Sequence, residues 1–319
     1  MATLSSLPNE LLISIFSYVA ADVRQGHITA TLSPVCSSFH RLIQSSGLDV
    51  MYTYLRGTDK TQKFLDLVRK RDMGLRRVDS LLLVVAGNED NDTASYALSL
   101  SLIEAILSTI NTSHLHTLFI HVFPRSNDVL VLRLPVALPA LADLHLSGLI
   151  AISPNEGPLC TPNLERVQLL CLHGLPSEHR NLPRLIHNLA PNITRLNLSV
   201  RSAYNLDLPK DMLVFRRSVM SHGQSFPHRF PPSLRQIVAS FTCEPRDTRA
   251  QSYLTMLAAS CTRLNKTSLE PGQMPALVVV QPRKGHPEYV PRRGEEDQGD
   301  VAYVDNFVRT WKNVSVLQA

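Results

Sequence analysis

Twelve histidines and five cysteines are the side chains of this chain best suited to hold a metal or attack a substrate. Their spacing does not bring them together. Cys36, Cys160, Cys171, Cys243 and Cys261 lie far apart, with no CxxC pair. Zinc sites and disulfide frameworks need close, repeated spacings. An odd count with apolar flanks suits reduced, packed thiols. His114-x-His116 would set two rings on one face of a strand, but no third ligand stands near them in sequence. The motifs GxGxxG, GxxxxGKS/T, GxSxG and HExxH do not occur. These patterns predict no metal, no cofactor and no catalytic residues, so the chain reads as a non-enzyme.

The remaining candidate chemistry is charge. Met212–Cys243 carries Arg216, Arg217, Arg229 and Arg235 with His222 and His228, and no acidic residue. Such a stretch contacts an acidic or phosphate-bearing partner, or is a solvated insertion; both readings stand. The whole chain has 32 cationic and 27 anionic residues, a net charge of +5. That density is ordinary, and aromatic stacking residues do not interleave with the charges in a recognisable nucleic-acid-binding module. Nucleic acid is not an expected partner.

These groups have to be positioned by a folded chain. With 319 residues, 44% of them hydrophobic, there is ample material for a core. Leucine outnumbers all the aromatic residues together. The longest apolar run, Leu81–Ala86, is far short of the ~20 residues of a membrane span, so no membrane association is expected. Leu11–Ala21 has no Lys or Arg ahead of it and Glu10 at its edge, unlike a secretory signal. The Asn-x-Ser/Thr triplets, such as those at Asn91, Asn111 and Asn192, then read as chance matches, and a cytoplasmic or nuclear location is expected.

The first fifty residues hold two amphipathic patterns. Leu11, Leu12, Ile15, Phe16 and Val19 recur at helical steps, with Pro8 in the first turn and Ser6 as N-cap. Leu32, Val35, Cys36, Phe39, Leu42 and Ile43 form a second, with Pro34 in its first turn. Two helices of this size bury little by themselves, which suggests an interface. An N-terminal helical hairpin packed on its own domain is the plainer reading. Leu7-Pro8-x-Glu10-Leu11-Leu12-x-x-Ile15-Phe16 followed by Leu32-x-x-Val35-Cys36-x-x-Phe39 resembles an F-box of the fungal type, over residues 4–46. Ser37 stands where that family usually has Arg or Lys, and Phe39 where it usually has Trp. The resemblance implies docking onto a Skp-type adaptor through Leu7, Pro8, Leu11, Leu12, Ile15, Phe16, Val35, Cys36 and Phe39. Several of these must face the module's own core.

After residue 75 the pattern L-x-x-L-x-L recurs, beginning at Val78, Leu115, Leu141, Leu164, Ile193, Leu234 and, more weakly, Leu277. Pro139, Pro162, Pro191 and Pro232 sit two residues before their repeats. Helical patterns lie between, over Ala94–Ile110, His179–Ala190 and Arg249–Leu264. An earlier one, Thr61–Arg71, has Gly74 as its stop. The repeats resemble irregular leucine-rich repeats, without the Asn or Cys ladder usual after L-x-L. A mixed α/β domain with leucine-rich strands is the alternative. The resulting expectation is an α/β fold: a small helical F-box (1–50), a linker helix or cap (51–75), a leucine-rich-repeat solenoid with a parallel sheet (76–281), a mobile loop (282–300) and a capping helix (301–319). Strand alternation sends Phe119, His121, Asp143, His145, Arg166, Gln168, Arg195 and Asn197 to one sheet face, expected as a polar, substrate-binding strip with Phe119 exposed.

Together the two resemblances imply a substrate-recognition subunit of a Skp–cullin–F-box ubiquitin ligase. It would hold a Skp-type adaptor, and through it a cullin–RING ligase, at one end and an unknown protein substrate on the solenoid. A non-catalytic interaction scaffold without a ligase role is the alternative.

Overall fold

The computed structural model describes residues 7–21, 28, 32–85, 93–122, 130–148, 150–153, 161–171, 182–201, 230–242, 248–266 and 277–283. By their contacts these form two units, one ending at Tyr52 and a larger one beginning at Thr53. The expected loop (282–300) is contradicted at Pro282 and Arg283, which end the last strand; the rest of it, the expected capping helix (301–319), the N-cap Ser6, and Arg216, Arg217, His222, His228 and Arg229 lie outside the described residues.

In the first unit, helix α1 (Asn9–Ala21) starts at Pro8, whose carbonyl accepts the N–H groups of both Leu11 and Leu12 at 3.1 Å. Pro34 does not enter the second helix as expected. Leu32–Val35 closes a turn through Val35 N–H to Leu32 C=O at 3.1 Å. The extended backbone of Cys36 separates that turn from α2 (Ser37–Ser46). Gly47 ends α2 in the left-handed region, φ 75°, donating its N–H to the orphan carbonyls of Gln44 and Ile43, a conformation that suits a residue without Cβ. A one-turn helix α3 (Leu48–Met51) follows. Leu12, Phe16, Ala20, Ile28, Phe39, Ile43 and Leu48 form the core. Phe16 meets Phe39 edge-to-face, 4.8 Å between centroids.

The second unit is built on an eight-stranded sheet in the order β1-β2-β3-β5-β7-β8-β9-β10. Its strands are β1 (Tyr52–Arg56), β2 (Ser80–Val85), β3 (Thr117–Val122), β5 (Asp143–Gly148), β7 (Arg166–Cys171), β8 (Arg195–Arg201), β9 (Gln236–Thr242) and β10 (Leu277–Arg283). The seven strands from β2 onward are parallel. Helices α4 (Thr58–Arg69), α5 (Thr93–Thr109), α6 (Leu182–Leu189) and α7 (Thr248–Lys266) lie between successive strands in the chain. The chain is therefore α/β with a parallel sheet, as expected.

Several details differ from the sequence reading. Strand β1 was not foreseen. Neither were β4 (Leu130–Arg133) and β6 (Ile150–Ser153), which pair in parallel as a separate two-stranded sheet. Helix α4 stops at Arg69, and Gly74 sits in a separate 3-10 turn, Met73–Leu75. The strands of the first six repeats each begin two residues later than the repeat's first apolar position, whereas β10 begins at Leu277 itself. Leu141, Leu164, Ile193 and Leu234 instead close a turn onto Leu138, Thr161, Ala190 and Pro231, three residues back. All four leucine or isoleucine side chains are buried.

That turn explains how one unit stacks on the next. At the five joints from β2 to β9, the carbonyl just before one strand accepts two N–H groups at the head of the next. Asp79 accepts from His116 and Thr117, His116 from Ala142 and Asp143, Ala142 from Glu165 and Arg166, Glu165 from Thr194 and Arg195, and Thr194 from Arg235 and Gln236. A side-chain ladder runs beside it. Asn163 Nδ2 donates to Pro139 C=O at 2.7 Å, Asn192 Nδ2 to Pro162 C=O at 2.8 Å, and Ser233 Oγ to Pro191 C=O at 2.9 Å. The polar ladder missing after L-x-L thus lies at the head of the repeat, in the residue between the proline and the first apolar position. Asn192→Ala should lower the unfolding free energy by about 1 kcal/mol in urea melts. Asn188→Ala, on the exposed side of α6, should stay within about 0.5 kcal/mol.

Candidate functional site

The nine residues singled out in the N-terminal unit divide into two sets. Leu12, Phe16 and Phe39 are buried in the unit's core, and Leu7 is half-buried against it. Pro8 and Cys36 are exposed, as are Leu11 (52%), Ile15 (43%) and Val35 (62%). The division follows from helical geometry. Leu12, Phe16 and Ala20 recur at four-residue steps and point inward. Leu11 and Ile15 form the neighbouring stripe, and Tyr18, 79% exposed, continues it one turn on. Helix α1 therefore carries apolar side chains on a second face that its own unit does not cover. Val35 reaches the surface because it sits in the turn ahead of α2, and Cys36 because its extended backbone precedes that helix. The expectation of a packed thiol fails at Cys36.

The eight residues expected on the sheet face do share one side of adjacent strands. Register aligns Thr117, Asp143, Arg166, Arg195 and Gln236 in one row, and Phe119, His145, Gln168, Asn197 and Val238 in the next but one. Their exposure is not as expected. Phe119 is 0% and His145 1% exposed, and His121, Asp143 and Ser147 are also buried. Over β2, β3 and β5 this face is closed, while Arg166, Gln168, Arg195 and Asn197 are half-buried. The correction has a reason visible in the residues. Strands β2 and β3 read SLLLVV and TLFIHV, nearly continuous apolar runs. Such runs belong to strands covered on both faces.

Inside the closed half, Phe119 stacks on His145 at 4.5 Å and lies beside His121 at 6.4 Å. His121 Nδ1 is 2.9 Å from Ser147 Oγ. Burial lowers the His121 pKa to about 4 and that of His145 to about 3, where a Gln168 hydrogen bond opposes burial and His121 adds to it. Burial raises the Asp143 carboxyl, against the pull of Arg166, which binds both carboxylate oxygens through Nε and Nη2. This pair marks the boundary between the closed and open halves.

His114 and His116 do not share a strand face. His114 ends a 3-10 turn, and His116 precedes β3 with Nδ1 2.7 Å from Asp79 Oδ1. Among the described residues no group of three or more His, Cys, Asp or Glu could hold a metal ion. Among them, too, no helix is long and apolar enough to cross a membrane.

No family model matches the chain, and no curated protein or solved structure is significantly similar to it.

The two buried histidines tie stability to pH. Both are neutral when folded, whereas in the unfolded chain they titrate near 6.5. Below that value the unfolded chain binds protons that the folded chain does not, so stability falls with pH. Asp143 acts in the opposite sense, nearer the carboxylate range. Urea melts should show a loss of roughly 2 kcal/mol per histidine between pH 7 and pH 5. His145→Gln should flatten that dependence, and an equal slope in the variant would refute it.

Proposed function

We propose that the chain is an F-box protein that acts as the substrate-recognition subunit of a Skp–cullin–F-box ubiquitin ligase. The observation that carries this reading is the uncovered apolar stripe of Leu11 and Ile15 on α1, together with the exposed Pro8, Val35 and Cys36 of the same unit. These residues fall within the motif that resembles an F-box, while the rest of that motif builds the core beneath them. Exposed apolar side chains grouped on one small helical unit suit a protein partner, here a Skp-type adaptor. Leu12, Phe16 and Phe39 act by holding the stripe in place.

The second unit is read as the grip, a leucine-rich-repeat-like solenoid. Support comes from its in-line parallel strand order and from the turn and ladder that recur at the heads of successive strands. The chain would perform no bond chemistry. Holding a substrate near a charged ubiquitin carrier raises its effective concentration, which is the contribution of such a subunit.

Adaptor docking is tested by co-elution of the purified chain with a Skp-type adaptor. Leu11→Asp with Ile15→Asp should abolish co-elution while leaving the circular dichroism unchanged, because both side chains are exposed and only the complex would bury the charges. Phe16→Asp should instead unfold the N-terminal unit, since it places a carboxylate in the core. Retained binding in the Leu11→Asp, Ile15→Asp variant would remove the stripe from the interface.

A further inference from the structure

We propose that the Phe119–His121–His145 cluster is an acid-released latch: it keeps the closed half of the sheet face shut while both imidazoles are neutral, and their protonation opens that face without unfolding the sheet. Such a device is independent of the adaptor reading.

The packing around the rings is what makes a charge costly there. The Phe119 ring stacks on His145 at 4.5 Å and 19°, and lies near-parallel to His121 at 6.4 Å and 21°. Register brings Val84, His121 and Ser147 into one row, and Leu82, Phe119, His145 and Gln168 into another, across β2, β3, β5 and β7. All of these but Gln168 are buried. An imidazolium in such a place needs a counter-charge. Among the described residues of this face, β2 supplies no titratable group (Ser80, Leu82 and Val84), β3 supplies His121, β5 supplies His145 and Asp143, and β7 supplies Arg166. Asp143 is already held by Arg166 through both oxygens. His116 and Glu165 act on that carboxylate from the heads of the strands. Ser147 and Gln168 can accept a hydrogen bond from an imidazolium but bring no negative charge. A charge on His121 also raises the cost of one on His145.

Opening stays local because the histidines sit on one face only. On the opposite rows Leu118, Ile120, Leu144, Leu146, Val167 and Leu169 are buried, and none can titrate. Acid therefore weakens one layer and spares the other, and the weaker part of a fold opens first. Opened, the face adds Leu82, Val84 and Phe119 as an apolar continuation of the half-buried rows on β7, β8 and β9. A ring that titrates at about 4 or about 3 when buried and near 6.5 when exposed favours opening by about twentyfold between pH 7 and pH 5.

The test labels single reporter cysteines in the full chain with a pyridyl disulfide, reading the labelled peptide by mass spectrometry so that the five native cysteines do not interfere. Val84→Cys reports on the closed half and Val167→Cys on the opposite face. Each rate is divided by that of the same chain unfolded in urea at the same pH. From pH 7 to pH 5 the Val84→Cys ratio should rise by about a hundredfold or more. At pH 5 it should exceed the Val167→Cys ratio by about tenfold or more. His121→Gln with His145→Gln should abolish the rise, and His121→Gln alone should remove about twentyfold of it. No rise, equal ratios at the two reporters, which mark global unfolding, or an undiminished rise in the double variant would each overturn the proposal. The comparison of the two reporters keeps both histidines native, so it decides the matter if the double variant fails to fold.

Discussion

A backbone carbonyl at the head of a strand, shared between two N–H donors at the head of the next at five successive joints from β2 to β9, is the contact on which the larger unit depends. Buried backbone donors have to be paired, and this arrangement pairs two of them with one acceptor while the chain is still turning into the strand. It sets the offset between neighbours at every step, from Asp79 through Thr194. Because the offset repeats, equivalent residues line up in rows across the sheet. One set of rows, Leu118, Leu144, Val167, Leu196 and Ile237 among them, is buried throughout. The Asn163, Asn192 and Ser233 side chains reinforce the same joint from outside the ladder.

The opposite rows show how a regular backbone can carry a graded surface. At β2 and β3 they hold Leu82, Val84 and Phe119, and the face is closed. At β5 the row positions are polar by type, yet Asp143, His145 and Ser147 are buried with their neighbours. Burial has chemical consequences there. The histidine rings are held neutral, and the Asp143 carboxylate is stabilised by a guanidinium on the next strand. On β7, β8 and β9 the row positions Arg166, Gln168, Arg195, Asn197, Gln236 and Val238 are half-buried, and five of the six are amide or arginine side chains. Repeat units with one backbone geometry thus divide into a buried half that contributes stability and an open half that meets solvent.

The N-terminal unit shows a similar division on a smaller scale. Leu11 and Leu12 are adjacent and chemically identical, yet one is exposed and the other buried. The hundred-degree step between helical neighbours, together with Phe39 packing on Phe16, decides which is which. A helix with apolar residues on two adjacent stripes can cover only one of them with a single partner helix. The second stripe, Leu11 and Ile15, is what the unit presents outward.

The leucine spacing alone determined that there would be parallel strands linked by helices, and nearly where, because a parallel unit must bury an apolar edge on each neighbour. The same spacing put the eight face residues on a common side, since alternation along a strand is a local property. The start of the strands from β2 to β9 in the main sheet was not legible, because the first apolar residue of the motif precedes the ladder, whereas in β10 Leu277 enters it directly. Strands β4 and β6 were missed as well; four residues each carry too little periodicity to be distinguished from loop. Exposure was decided only by the tertiary structure. The burial of Phe119 and His145, and the separation of Leu11 from Leu12, depend on what packs against each face, and packing is a relation between residues far apart in the chain that no local pattern encodes.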